Sequence, residues 1–168
     1  NNKNESTLAA RLRNERAFSL LMTADAAAQL VKDGMTIGVS GFTPSGYPKA
    51  VPLALAERAK KGDKFKVDLY TGASVGPEID SAWTEAGIIR RRFPYQTNAS
   101  LRKDINGGKV AYADMHLSQC AQLISSGALK PVDIAIVEAL CRSAEADGCK
   151  SPKAPDNRST ELNSSINL

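Results

Sequence analysis

Gly34-Met35-Thr36-Ile37-Gly38-Val39-Ser40-Gly41-Phe42-Thr43-Pro44-Ser45-Gly46-Tyr47-Pro48-Lys49 is the stretch from which the fold can be read. Residues 35–39 are mostly apolar and bounded by glycine, the pattern of a short buried strand. The strand breaks into a loop of small residues holding Gly41, Gly46, Pro44 and Pro48. Residues 50–61 follow as a mostly apolar helix, with Val51, Leu53, Leu55 and Ala59, closed by Gly62. Strand, glycine loop and helix start, in that order, present bare backbone N–H groups to an anion. Gly41 and Gly46 lack a Cβ and so allow a ligand close to the backbone. A tight strand-to-helix turn with no ligand fits the stretch equally well. The two glycines have P-loop spacing, but Tyr47-Pro48 stands where Lys-Ser/Thr is needed, so the phosphate-binding lysine and the Mg²⁺-binding hydroxyl are missing. There is no G-x-G-x-x-G fingerprint either. Nucleotide triphosphatase and dinucleotide chemistry are thereby set aside.

Downstream, the same grammar repeats. Residues 65–70 alternate and are rich in β-formers, a second strand, and they end in Thr71-Gly72-Ala73-Ser74-Val75-Gly76-Pro77, a second small-residue loop. Ligands of open α/β sheets gather outside the carboxyl ends of strands, where both loops lie. A short helix at 79–86 carries Trp83, the sole tryptophan, expected as a core anchor. Residues 88–95 are ambiguous, but Phe93-Pro94-Tyr95-Gln96-Thr97 resembles a strand entering a loop. A helix begins at Asn98 or Ser100, and a short strand follows at 110–113. A helix at 116–126 stops at Gly127. The continuous apolar run 132–137 reads as a strand buried on both faces. Strands alternating with helices specify an α/β fold: three layers, a mainly parallel sheet with helices on both faces.

Upstream, residues 6–22 have helical composition, and Thr23 caps a second helix expected to run to Asp33 before Gly34 stops it. The organisation expected is an N-terminal helical segment (1–22), one α/β domain (23–141) and a divergent polar tail (142–168). That tail is rich in Ser, Asn, Pro, Lys and Asp, and is expected to be disordered or docked only at its end.

Composition narrows the function classes. The chain has 168 residues, enough for one domain with a core, and a net charge of +4. Its basic residues are scattered apart from Arg90-Arg91-Arg92, and aromatics make up 5%, too few for base stacking, so no nucleic-acid partner is expected. That arginine run is read as a solvated surface. No apolar run approaches the ~20 residues of a membrane span. Cys120, Cys141 and Cys149 are odd in number and lack C-x-x-C spacing, so neither metal nor disulfides are expected. A reducing, cytoplasmic setting follows, or a mitochondrial matrix in a eukaryote.

Five blocks then share a resemblance. Ser40-Gly41-Phe42-Thr43-Pro44 with Pro48-Lys49-Ala50-Val51-Pro52, Tyr70-Thr71-Gly72-Ala73-Ser74, Pro94-Tyr95-Gln96-Thr97-Asn98, His116-Leu117-Ser118, and the 133–139 strand Asp-Ile-Ala-Ile-Val-Glu-Ala resemble, in order, the acetyl-CoA hydrolase/transferase family of class I CoA-transferases. The resemblance runs from about residue 10 to 140 and covers the first of the two similar α/β halves of such enzymes. It implies transfer of CoA between short acyl groups such as acetate, succinate and propionate, or hydrolysis of acyl-CoA. Coenzyme A is then a substrate, with no cofactor. It implies a catalytic glutamate in the second half, a glutamyl-CoA thioester, the C-terminal half as partner, and a homodimer for the full-length enzyme. No catalytic residue is therefore expected here. By the same resemblance Ser74 and Thr97 bind the substrate carboxylate, and Gly41, Phe42, Thr43 and Gly46 form the active-site loop. Hydroxyl donors suit a carboxylate because they add no charge. Without the resemblance, Ser74 and Thr97 read as caps or loop hydrogen bonds. His116, the only histidine, reads as a cap or packing residue. Glu138 ends a buried strand and is not in the position of the family's nucleophile. From Arg142 onward the sequence departs from the family, as in a truncated or altered chain. A carboxylate- or acyl-binding module without catalysis, or an inactive fragment, is the other function these residues allow.

Overall fold

In the computed structural model of the chain, residues 20–43, 45–139 and 164–167 are described. Thr23 opens the first helix, α1 (Ala24–Ala28), its hydroxyl accepting the Ala26 N–H at 3.1 Å. The helix stops at Ala28 instead of reaching Asp33. Arg58 Nη1 donates to the last carbonyl of the helix, Ala28 O, and, at 2.9 Å, to Val31 O beyond it, while the nearby Lys32 Nζ donates to Gln29 O at 3.1 Å. Asp33 is engaged by the Lys66 N–H at 2.8 Å.

The remaining elements up to Glu138 follow the expected order with edges moved by a residue or two, and a strand at Ser164–Asn167 is added to them. They are β1 (Thr36–Val39), α2 (Ala50–Lys60), β2 (Val67–Thr71), α3 (Asp80–Glu85), β3 (Ile89–Phe93), α4 (Ala99–Asn106), β4 (Ala111–Tyr112), α5 (Leu117–Ser125), β5 (Ile134–Glu138) and β6 (Ser164–Asn167). The strands form one sheet in the order β4-β3-β2-β1-β5-β6, with β1 to β5 parallel and β6 antiparallel to β5. From β1 to β4 the chain steps in one direction, so right-handed crossovers put α2, α3 and α4 on one face. The return step to β5 puts α5 on the other. This is the three-layer α/β arrangement expected.

On the α2–α4 face, Ile37 pairs in register with Leu69 and Ile134, and these pack with Val51, Leu55, Trp83 and Leu101 in one buried cluster. Trp83 is fully buried and donates its indole N–H to Pro52 O at 2.9 Å, the anchoring role expected of it. On the opposite face a side chain at Gly38 would stand 3.1 Å from Val132 Cγ1, so the segment entering β5 lies directly over β1. Burial in β5 alternates: Ile134 and Ile136 are buried, whereas Ala135 and Val137 are half-buried. The expectation of a strand buried on both faces is corrected here, because the described residues cover only one of its faces fully. Of the polar tail, Ser164–Asn167 forms β6, Asn167 pairing with Ala135. Residues 142–163, and the helix expected at 6–22 apart from its last three positions, lie outside the described residues.

Asn98 starts α4 and joins it to α3: its Oδ1 accepts the Leu101 N–H at 3.0 Å and its Nδ2 donates to Ser81 Oγ at 2.7 Å. Asn98→Ala should cost about 1–2 kcal/mol, the usual cap loss, in urea unfolding. A change under about 0.3 kcal/mol would show that the cap does not hold α4.

Candidate functional site

Because β1 to β4 run parallel, the loops that follow them all emerge at one end of the sheet. The loop after β1 turns through Gly41 (φ +129°), Thr43 (φ +57°) and Gly46 (φ +67°). Phe42 and Ser45 exchange backbone hydrogen bonds at 3.0 and 3.3 Å, which leaves Phe42 at the tip, 65% exposed. Ser40 stitches this loop to the end of β5: its N–H donates to Ile136 O, its hydroxyl donates to Gly46 O at 2.9 Å, and its Oγ accepts the Glu138 N–H at 3.0 Å. Lys49 Nζ pairs with Glu138 Oε1 at 3.1 Å, donates to Tyr47 O and sits 4.3 Å from the Tyr47 ring centre. The Glu138 carboxylate thus already has a cation.

The first two loops are pressed together. A side chain at Gly72 would stand 3.1 Å from Gly41 O, and one at Gly76 would stand 2.0 Å from Tyr47 Oη. Tyr47 donates its phenol to Glu78 Oε2 at 2.7 Å. Burial, and next the hydrogen bond and charge of Glu78, push that phenol up to about 12, so it stays a donor. Ser74 is buried in this second loop, 6% exposed, while Thr97 is exposed. The Thr97 carbonyl accepts from Arg102 Nη2 at 3.1 Å, just ahead of the Asn98 cap.

An open pocket of about 570 Å³ lies between the second, third and fourth loops. Gly72 and Ala73 form one wall, Pro94 and Tyr95 another, and residues 114–117 the third. Ser74 and Thr97 do not line it. Each follows, within two residues, a residue that does. Gly41, Phe42, Thr43 and Gly46 do not line it either; their loop touches Gly72 through Gly41 O. His116 Nδ1 accepts the Ser118 N–H at 3.4 Å and lies 2.6 Å from Ser118 Oγ. It caps α5, as expected, while also lining the pocket. Sequence reasoning passed over Tyr95, Asp114 and Met115, whose only signal is a position just beyond a strand.

The arginine run is corrected in part: it lies in β3, where Arg90 and Arg91 are exposed, as expected, and Arg92 is buried. Arg92 and Asp80 are both 0% exposed, with Arg92 Nε 3.0 Å from Asp80 Oδ1. Arg92 is in register with Leu69 and so faces the α2–α4 layer, where α3 supplies the aspartate. Arg90 Nη2 reaches the buried Asp68 Oδ2 at 2.7 Å. Burial raises the Asp80 carboxyl above its ordinary value, opposed by the charge and hydrogen bond of Arg92. Among the described residues no His, Cys, Asp and Glu side chains cluster to hold a metal, and no helix is long and apolar enough to cross a membrane.

An α/β domain that gathers glycine-containing loops at the carboxyl ends of parallel strands has the open-sheet arrangement in which ligands bind at that end of the sheet. Its sequence matches the acetyl-CoA hydrolase/transferase N-terminal domain over residues 7–149, and the chain belongs to that family. It is 51% identical over 138 residues to the succinyl-CoA:acetate CoA-transferase of Clostridium kluyveri, covering 82% of this chain and 26% of that one. Identity is 38% over 141 residues to the propanoyl-CoA:succinate CoA transferase of Escherichia coli K12, covering 82% of this chain and 26% of that one. With the acetyl-CoA hydrolase of Schizosaccharomyces pombe it is 35% over 169 residues, covering 94% and 32%. The chain spans about a quarter of the length of the first two relatives. In fold it is similar to the acyl-CoA transferase apoenzyme of Escherichia coli O157:H7, with a TM-score of 0.57, 14% identity, and coverage of 69% of this chain and 24% of the other.

Proposed function

We propose that this chain supplies the carboxylate-holding loops of an enzyme that moves CoA between short acyl groups, acetate and succinate among them. The observation that carries this reading is the docking of the Gly41 and Gly72 loops at one sheet end, in a chain 51% identical to a succinyl-CoA:acetate CoA-transferase. In this reading Ser74 and Thr97 donate hydroxyl hydrogen bonds to the substrate carboxylate. Charge-assisted bonds of that kind hold an anion without adding a cation that would trap it.

The covalent work falls to a glutamate outside the matched segment. Its carboxylate attacks the acyl-CoA carbonyl and expels CoA thiolate, giving an acyl-glutamyl anhydride. The thiolate then attacks the glutamyl carbonyl, releasing the free acid and leaving a glutamyl-CoA thioester. An acceptor carboxylate reverses the sequence, whereas water at the thioester gives hydrolysis, so exclusion of water separates the two outcomes. This chain alone turns over no acyl-CoA.

Titration of the ¹⁵N-labelled chain with acetate tests the binding part. The Ser74 and Thr97 amides should shift, and Ser74→Ala should weaken acetate about tenfold, as loss of one hydrogen bond to a charged group does. Unmoved amides in the parent chain at saturating acetate would defeat the carboxylate reading. Joined to the rest of a relative's chain, the domain should exchange CoA between succinyl-CoA and acetate. Acetate binding without exchange would favour a non-catalytic module.

A further inference from the structure

The Arg92–Asp80 pair does not itself line the pocket, yet it reaches the Ser74 loop and the end of the strand that leads into the Thr97 loop. Asp80 takes Arg92 Nε at 3.0 Å and Nη2 at 3.3 Å. The other donors of the guanidinium go to backbone: Nη1 to Phe93 O at 2.7 Å and Nη2 to Ala73 O at 3.4 Å. The Val75 N–H also favours the Asp80 carboxylate. The carbonyl that leads into Ser74 therefore meets the guanidinium end of the ion pair. The same guanidinium holds the carbonyl that leads into Pro94, Tyr95, Gln96 and Thr97.

As a source of stability such a pair is poor, since packed apolar side chains of the same size do as well or better. Apolar side chains cannot fix a loop carbonyl and a strand-end carbonyl at a set spacing, and the planar five-donor fork of arginine can. We infer that Arg92, held by Asp80, is a positioning residue: it fixes the Ser74 loop against the Thr97 loop, and so sets the spacing of the two hydroxyls, without touching a ligand. What those hydroxyls hold rests on the carboxylate reading above. The clamp itself does not.

Amide hydrogen exchange on the full chain tests it with two variants. Arg92→Lys keeps a cation beside Asp80 but cannot reach both carbonyls at once. Arg92→Met combined with Asp80→Leu removes the pair without leaving a buried charge. In both, exchange at residues 74–76 and 96–98 should rise about tenfold while the β1 and β2 core amides stay unchanged. Acetate should protect these segments in the parent and much less in the variants. Loops as protected as in the parent, exchange rising evenly through the core, or a double variant that does not fold would each overturn the inference. A parent unaffected by acetate would defeat the carboxylate reading, and the ligand-free exchange would still decide the clamp.

Discussion

Arg92→Ala should lower the stability of the domain by about 3–5 kcal/mol, a large part of what a domain of this size possesses. The loss comes from what remains. Asp80 is fully buried, and without Arg92 its carboxylate has neither water nor a cation beside it. The pH dependence follows in sign. Burial already raises the Asp80 carboxyl, and the causes that lower it are chiefly the charge and hydrogen bond of Arg92. In the variant the folded state therefore binds a proton at Asp80 more readily than the unfolded state does. The associated stability is present at low pH and is lost as pH rises through the raised folded value. The gap between variant and parent should accordingly narrow as pH falls from neutral toward the ordinary aspartate value near 3.8. Urea unfolding of both proteins at pH 7.5 and pH 5 measures it. A gap that is constant or widens at the lower pH would show that Asp80 is not the group left stranded.

That pair also marks where the sequence stops being legible. The alternation of short apolar runs, small-residue loops and helices is written locally, because each glycine and each capping residue acts on its own neighbours. Thr23, Asn98 and His116 each stand at the helix start where their side chains cap. Ser74 and the Gly41 loop were placed at one sheet end because a parallel sheet leaves them no other. Arg92 was misread because three consecutive arginines look like a solvated run. What buries one of them is an aspartate on α3, which no spacing rule links to β3. The early end of α1 has the same origin, since Arg58 reaches back from α2 to its last carbonyl and to Val31 O beyond it. The pocket walls come from three connections that only the strand order brings together, so a position just beyond a strand was the sole local signal at Tyr95 and Asp114.

Gly41→Ala and Gly46→Ala should separate sharply, although the sequence offers the two glycines as equals. At Gly41 the φ of +129° lies in a region that glycine alone occupies comfortably, and forcing alanine there costs about 1–3 kcal/mol. The new Cβ would also stand 2.6 Å from Tyr47 Cβ and 3.2 Å from Tyr47 Cα. These are atoms at the root of the side chain, so no rotation relieves the overlap, and the main chain at Tyr47 must move at a further cost of about 1–3 kcal/mol. That movement carries the phenol away from Glu78 and off Gly76, loosening the contact between the first two loops. At Gly46 the φ is +67° and nothing lies within 4 Å of a added Cβ, so only the left-handed conformation is penalised, by about 1–2 kcal/mol. Urea unfolding should therefore show a loss of about 2–6 kcal/mol for Gly41→Ala against about 1–2 for Gly46→Ala. The acetate-induced shift at the Ser74 amide should disappear only in Gly41→Ala. Equal losses at the two positions would mean that the close approach of Tyr47 to Gly41 does not hold the loops together.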